Sequence, residues 1–253
     1  MKVNVAQARQ FVAGVELPPP PRHLKSREST QPLQLVKEKT QALVVGSDVI
    51  SFVRGVTAER RQDLVNASLL AQLVATKRVP EPTDVNAWYE AYFDVLKNLG
   101  FIIQDRHLAT YSEQSADFEA HEAILKVAAT LLAGAPAALE IVKTSLEALK
   151  TDGPWLTLFT RESQSAKTAK FQVTLAHEGE GDQFLVSLMA FTLEAESALT
   201  QVLFFKVRSN EAILKQCSAK VTINSTVLSG VREEIAHRLE KHAAAFVEAL
   251  PEL

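Results

Sequence analysis

Cys217 is the only cysteine in the chain and its strongest candidate nucleophile. It lies in the segment ILKQCSAKVTI (213–223), where alternate residues separate an apolar set from a mixed one, as in a β-strand with one buried face. The apolar residues that share the phase of the thiol are Ile213, Ala219, Val221 and Ile223. We therefore predict a thiol that points into the interior, where most cysteines behave as small, unreactive hydrophobic residues.

Lys215 leaves a reactive role for this thiol open. It precedes Cys217 by two residues and so lies on the same face of the predicted strand. An ammonium group close to the sulfur would favour the thiolate form. A lysine that only protects an edge strand would have the same spacing, and the sequence does not separate the two interpretations.

No other pattern in the chain indicates a catalytic or metal site. The sequence lacks the glycine-rich nucleotide loops, the GxSxG nucleophile turn, the HExxH zinc pattern and the CxxC redox pair. Its six histidines do not have metal-ligand spacing, so we predict no metal. His177 is the best-placed histidine for a general base, because it lies near the end of a predicted neighbouring strand, but the sequence alone does not bring it to Cys217.

The composition is that of an ordinary globular protein, with 47% apolar and 23% charged residues among 253. The net charge of −3 gives no general attraction to nucleic acid, so we predict no nucleic-acid partner. A single cysteine cannot form an internal disulfide, which fits a reducing cytoplasm. No apolar run reaches the roughly 18 residues of a membrane-spanning helix. The N-terminus has no continuous apolar signal region, so we predict no signal peptide.

The patterns in the rest of the sequence predict the elements that hold Cys217 in place. They indicate an α+β fold in which a helical N-terminal half packs on an antiparallel β-meander. Helical spacing dominates before Pro154, whereas the β-rich runs WLTLFTR, KFQVTLAH and QFLVSLMAFTL follow it, joined by short polar turns that make neighbouring strands antiparallel. The predicted organisation is a proline-rich arm over 1–34 and a single domain over 35–253. That domain is mainly helical over 35–150 and mainly sheet over 155–223, and an amphipathic helix over 227–250 closes it.

Three blocks of the sequence resemble the Erwinia virulence factor family. They begin with DVISFVRGVTAERRQ, WYEAYFDVLKNLG and VLFFKVRSNEAILKQCSAKVTI, and they span residues 48–77, 88–104 and 202–247 in that order. The resemblance covers about half of the chain and leaves the proline-rich arm outside. It implies a mixed α/β fold and a bacterial factor that promotes infection or persistence in an insect gut.

The resemblance also implies a covalently bound, palmitate-like fatty acid, held as a thioester on a cysteine of the sheet half. Cys217 is the one position that can match. The expected partner is a fatty acyl chain or lipid, with a host membrane as a further candidate. The expected location is the cytoplasm of the producing bacterium, and release or membrane association stays open. We expect the acyl chain to enter an apolar cavity lined by Ala219, Val221, Phe204, Phe205, Met189, Trp88 and Tyr92.

Two alternatives remain open at the level of the sequence, and so does the question of whether the protein is an enzyme. Because a thioester on cysteine is also an acyl-enzyme intermediate, Cys217 could be the nucleophile of an acyltransferase or thioesterase with His177 as its base. The other alternative is an interaction protein in which the cysteine is buried and inert.

Overall fold

The α+β class predicted from the sequence is confirmed. The structure, a computed structural model, describes residues 3–20, 33–80, 84–110, 117–151, 153–196, 199, 206–208 and 212–251. In these residues a mostly antiparallel sheet lies between two layers of helices, each of which encloses a hydrophobic core. Phe204 and Phe205, two of the predicted cavity residues, lie outside the described residues.

The sheet is built from strands of both halves of the chain. Its members are β1 (Gln41–Val45), β2 (Asp48–Phe52), β3 (Phe101–Thr110), β5 (Gln164–Ser165), β6 (Thr168–Glu178), β7 (Phe184–Ala195), β9 (Ala212–Ile223) and β10 (Val247–Ala249). They follow the order β10-β1-β2-β6-β7-β9-β3, with β5 paired to β6 and only the β2–β6 pair parallel. A separate pair is formed by β4 (Asp117–Glu119) and β8 (Lys206–Arg208). The predicted antiparallel meander corresponds to β6, β7 and β9.

The helices cover both faces of the sheet. They are α1 (Val5–Gly14), α2 (Ala58–Arg78), α3 (Val85–Asn98), α4 (Ala120–Leu131), α5 (Pro136–Ala148), α6 (Pro154–Ser163), α7 (Ser225–Ser229), α8 (Arg232–Leu239) and α9 (Ala243–Phe246). The core on one face, which we call the front face, joins the sheet to α1, α2, α3, α7 and α8. The core on the back face joins it to α4, α5 and α6. None of the helices in the described residues is both long and apolar enough to cross a membrane.

The part predicted as mainly helical contains the hairpin of β1 and β2. Gly46 and Ser47 form its two-residue turn, and Gly46 has a positive φ of 57°. A Cβ at this glycine would lie 2.3 Å from Oε1 of Gln72 in α2, so both the turn and the packing require glycine. The strands are only five residues long, which makes their alternation easy to mistake for helical spacing.

Two further elements differ from the prediction. WLTLFTR, predicted as the first strand after Pro154, belongs to α6, because Pro154 occupies the first turn of a helix, where its missing N–H costs nothing. The predicted helix over 227–250 is broken into α7, α8 and α9, and its last residues form β10 beside β1. With β10 added beside β1, the parallel pair of β2 and β6 has two strands on one side and three on the other.

The predicted arm over 1–34 is folded in its first part. Asn4 and Gln7 form a capping box that starts α1, and Ala8 and Val12 are buried against the front core. Residues 15–20 then follow the C-terminal helices, where His242 contacts the carbonyl oxygen of Pro18 at 3.0 Å. Residues 21–32 lie outside the described residues.

Candidate functional site

Cys217 lies in the middle of β9, a strand with a neighbour on each side. Its register partners are Ala190 in β7 and Leu108 in β3. The side chain belongs to the front core and is 4% exposed, so the structure buries the thiol, as alternation in the sequence predicted. Because the strand is internal, Lys215 does not serve as the edge lysine that one interpretation required.

A small cavity of about 60 Å³ reaches Cys217 from the protein surface. Tyr89 and Phe93 of α3 cover it from above, and Ala190 of β7 lies directly opposite the cysteine on its floor. The exposed residues Asn86 and Glu90 of α3 mark its solvent side. Pockets that hold drug-sized ligands measure about 300–1,000 Å³, so this one holds a few small groups and not a long chain.

Lys215 and Thr192 also line this cavity, one pleat away from Cys217 and Ala190. The Nζ of Lys215 lies 2.8 Å from Oε1 of Glu194, which holds the ammonium group over β7. The lysine that the sequence placed near the thiol is therefore engaged by a carboxylate of the neighbouring strand.

Ala219, Val221 and Met189 were predicted to line the acyl cavity, and none of them lines the small cavity at Cys217. Ala219 and Val221 are buried on the front face, on the same strand and in the same phase as Cys217. Met189 lies on the opposite face of the sheet: it pairs with Ser218 and packs in the back core. Directly paired residues share a face, and the residue of β7 that pairs with Cys217 is Ala190. The register of the strands thus corrects this assignment.

Trp88 and Tyr92 lie on the correct helix, but their neighbours Tyr89 and Phe93 line the cavity at Cys217. The Trp88 and Tyr92 rings stack on each other at 5.5 Å, and the indole Nε1 of Trp88 donates a hydrogen bond to Thr76 of α2 at 3.0 Å. This pair therefore joins α3 to α2.

His177 is not brought to Cys217. It pairs with Leu185 of β7, five residues away from Ala190, so the strand spacings place it roughly 20 Å from the cysteine. It also shares the phase of Val173 and Leu175, which pack in the back core. Burial lowers the pKa of the His177 imidazole from its usual 6.5. The structure therefore offers no support for His177 as the base of a Cys217 enzyme.

A buried polar network, which sequence reasoning missed, crosses the front core. We call it the Asp48 network, and its members are Ser47, Asp48, Ser68, Gln72, Tyr89, Gln172 and Thr174. The Asp48 carboxyl accepts hydrogen bonds of 3.0 Å from the hydroxyls of Ser68 in α2 and Thr174 in β6. Burial raises the pKa of Asp48 from 3.8 to about 7, and the two hydroxyls offset part of that rise.

The network continues from α2 to α3. Gln72 donates from Nε2 to the Ser68 hydroxyl at 3.1 Å, and it accepts at Oε1 from the Ser47 hydroxyl at the same distance. The Ser47 hydroxyl also lies 3.0 Å from Oε1 of Gln172, whose Nε2 donates to the hydroxyl of Tyr89 at 3.2 Å. The Tyr89 hydroxyl in turn lies 3.0 and 2.8 Å from the carbonyl oxygens of Phe171 and Phe191. The same tyrosine covers Cys217, so the network ends at the cavity.

The sequence does contain a signal for this network. Asp48 interrupts the apolar pattern of VVGSDVISF, and Ser68 and Gln72 are polar residues four apart within the apolar stripe of α2. Polar residues at core positions are found buried when they bond to one another. The two hydroxyl partners of Asp48 lie 20 and 126 residues away from it in the chain, so only the fold shows that they bond to it.

A second, larger cleft of about 1110 Å³ lies at the β1–β10 side of the sheet. Its walls include Trp155 of α6, Val247 of β10 and the exposed Arg54. None of its described lining residues is a cysteine, serine or histidine. Nor does any part of the chain that the structure describes group three or more metal-ligating side chains.

Comparisons with known proteins identify no family. No protein-family model matches the chain, and no curated protein matches it. Among solved structures, the fold is similar to a delta-endotoxin, with a TM-score of 0.38, 14% identity, and coverage of 78% of this chain and 88% of the toxin. It is similar to the activated Cyt2Ba monomer from Bacillus thuringiensis subsp. israelensis, with a TM-score of 0.36, 12% identity, and coverage of 70% and 96%. It is also similar to the Evf virulence factor, with a TM-score of 0.39, 10% identity, and coverage of 80% and 85%. Similarity at this level establishes neither a family nor an activity for this chain.

Proposed function

We propose that this protein is a virulence-factor-like protein that carries a fatty acyl chain in thioester linkage on Cys217 and acts in interaction with an insect gut. The observation that carries the proposal is the cavity at Cys217: the only thiol in the chain lies at its floor, on the apolar front face of the sheet. The resemblance of the sequence to a family of acylated virulence factors supplies the identity of the group.

The chemistry needs no second catalytic residue. The thiolate of Cys217 attacks the carbonyl carbon of an acyl thioester donor and forms the new carbon–sulfur bond. The carbon–sulfur bond of the donor breaks, and its sulfur leaves as a thiolate that takes up the proton that Cys217 released. A transfer of this kind between thiols does not require His177, which lies roughly 20 Å away by the strand spacings.

The size of the cavity limits where the chain can lie. A C16 chain gains on the order of 12 kcal/mol when it leaves water, at about 0.8 kcal/mol for each methylene. The cavity of about 60 Å³ has room for the carbons next to the sulfur only. For the rest of the chain to be buried, α3 must move outward with Tyr89 and Phe93; a chain that stayed outside would anchor the protein only weakly to a membrane.

Two substitutions test the attachment site and the path of the chain. We expect Cys217→Ser to remove the acyl mass while the protein stays folded. Ala190→Val should lower the acylated fraction several-fold, because it fills the cavity opposite the sulfur. Ala219→Val is the matched control: it adds the same two methyl groups on the same buried face, one pleat outside the cavity. Overpacking costs about 1–3 kcal/mol at either site, so stability alone does not separate the two variants.

Intact mass of each variant, expressed in the producing bacterium, gives the acylated fraction. An acyl mass that persists in Cys217→Ser would exclude this thiol as the attachment site. Equal acylation of the two alanine variants would show that the chain does not pass Ala190. A protein that is never acylated would favour the interaction protein with an inert cysteine.

A further inference from the structure

The Asp48 network joins α2, α3 and the sheet within the front core, around one buried carboxyl. Asp48 is 1% exposed, and its oxygens accept from a helix residue, Ser68, and a sheet residue, Thr174. The network reaches α3 through the Tyr89 hydroxyl. No basic side chain forms an ion pair with Asp48 in the part of the chain that the structure describes.

We propose that the Asp48 network is a pH-sensitive latch that holds α2 and α3 against the sheet while the carboxyl is protonated and releases them when it ionises. The physical reason is the cost of burying a charge. A carboxylate without a cation and with only two hydroxyl donors is poorly solvated, and water reaches it only if the helices move away. The latch does not depend on acylation.

The other ionisable groups near the carboxyl are two phenols and one amine. From α3, Tyr89 and Tyr92 face it, and burial raises the pKa of both phenols well above 10, so both stay neutral. From β6, Lys170 lies two residues before Gln172 on the same face, with its Nζ 5.0 Å from the centre of the Trp88 ring, and burial lowers the pKa of its amine. The contacts from α2 and from the β1–β2 turn are the neutral residues Ser68, Gln72 and Ser47.

The direction of the effect follows from proton linkage. In the closed state the pKa of Asp48 is about 7, whereas in an opened, hydrated state it returns towards 3.8. Opening therefore releases a proton between these two values, and each pH unit in that range favours opening tenfold. Between about pH 5.5 and pH 7 the opened fraction should rise about fifteen-fold, and above about pH 8 it should level off at about thirty-fold.

Cys217 reports on this opening, because Tyr89 and Phe93 of α3 cover the thiol. The experiment measures the rate at which a maleimide labels Cys217 at about pH 5.5 and pH 8.5, on protein whose intact mass shows that this cysteine carries no acyl group. The thiolate fraction also rises with pH, so the quantity to compare is the ratio of the two rates in wild type and in Asp48→Asn. We expect this ratio to be about thirty-fold larger in wild type.

Asp63→Asn is the matched control. Asp63 is a second buried carboxyl and belongs to α2 itself, but Arg232 of α8 binds it through two hydrogen bonds of 2.7 and 2.8 Å. Its removal should leave the wild-type ratio unchanged. Equal ratios in wild type and Asp48→Asn would overturn the latch.

Hydrogen exchange of the wild-type protein decides the question if Asp48→Asn does not fold. Exchange in α2 and α3 should then rise with pH more steeply than in α4 and α5, which pack on the back face. The same pH dependence in all four helices would overturn the proposal.

Discussion

Arg61 offers a direct test of how the front layer is held together. Its side chain is fully buried, which is rare for arginine unless the guanidinium is well paired. It donates from Nε to the carbonyl oxygen of Val56 at 2.8 Å, from Nη1 to Oε1 of Gln41 at 2.7 Å, and from Nη2 to the carbonyl oxygen of Lys39 at 2.7 Å. The guanidinium also lies 5.2 Å from the centre of the Phe52 ring. One side chain thus ties α2 to the segments on both sides of the β1–β2 hairpin.

We predict that Arg61→Met lowers the free energy of unfolding by about 3–5 kcal/mol. Each hydrogen bond to a charged group contributes about 1.5–3 kcal/mol, and three short ones are lost. Part of that loss is offset, because the variant no longer buries a charge: burial already lowers the pKa of Arg61 to about 10. The backbone carbonyls of Val56 and Lys39 are left without this donor, which makes the remaining cost large.

Urea unfolding at neutral pH, followed by circular dichroism, measures the change. Arg54→Met is the control, because Arg54 is exposed in the loop between β2 and α2 and its loss should cost less than about 0.5 kcal/mol. If Arg61→Met and Arg54→Met lose the same free energy, the hydrogen bonds of Arg61 contribute no net stability and the reasoning is refuted.

Two further predictions concern the titratable residues. Because the pKa of Asp48 in the folded state is about 7, above its ordinary 3.8, its stabilising contribution is complete below pH 4 and is lost as the pH rises through 7. Relative to Asp48→Asn, wild type should therefore lose about 4 kcal/mol in urea unfolding between pH 4 and pH 8, and parallel curves for the two proteins would contradict this. His177→Ala should leave the acylated fraction seen by intact mass unchanged, since the imidazole is on the back face; a loss of acylation without a loss of stability would restore an enzymatic role.

The sequence predicted the placement of Cys217 better than the identity of its neighbours. The alternation of apolar residues within 213–223 was enough to predict that the thiol is buried on an apolar face. The assignment of Met189 required the register between β7 and β9, because a shift of one residue moves every side chain to the other face of the sheet. The amphipathic stripe of α3 identified the right helix, but its rotation on the sheet brings Tyr89 and Phe93, and not Trp88 and Tyr92, over the cavity.

The elements that were mistaken are short apolar runs. WLTLFTR fits a helix and a strand equally well, and the position of Pro154 at the start of α6 decided between them. The β1–β2 hairpin lies in the part that was predicted as mainly helical, although Gly46–Ser47 is a typical hairpin turn. The sequence marks Asp48, Ser68 and Gln72 as polar residues at apolar positions, but it does not show which residues bond to them, since the partners lie in β2, α2, α3 and β6 and only the fold brings them together.

The most direct test of the proposed function is the intact mass of the protein, purified from the bacterium that produces it, before and after neutral hydroxylamine. Hydroxylamine cleaves a thioester under these conditions and leaves an amide intact. The proposal predicts a mass that exceeds the sequence mass by one fatty acyl group and returns to the sequence mass after treatment, which leaves an unmodified Cys217. A mass that equals that of the sequence from the start, or an adduct that survives hydroxylamine, would contradict it.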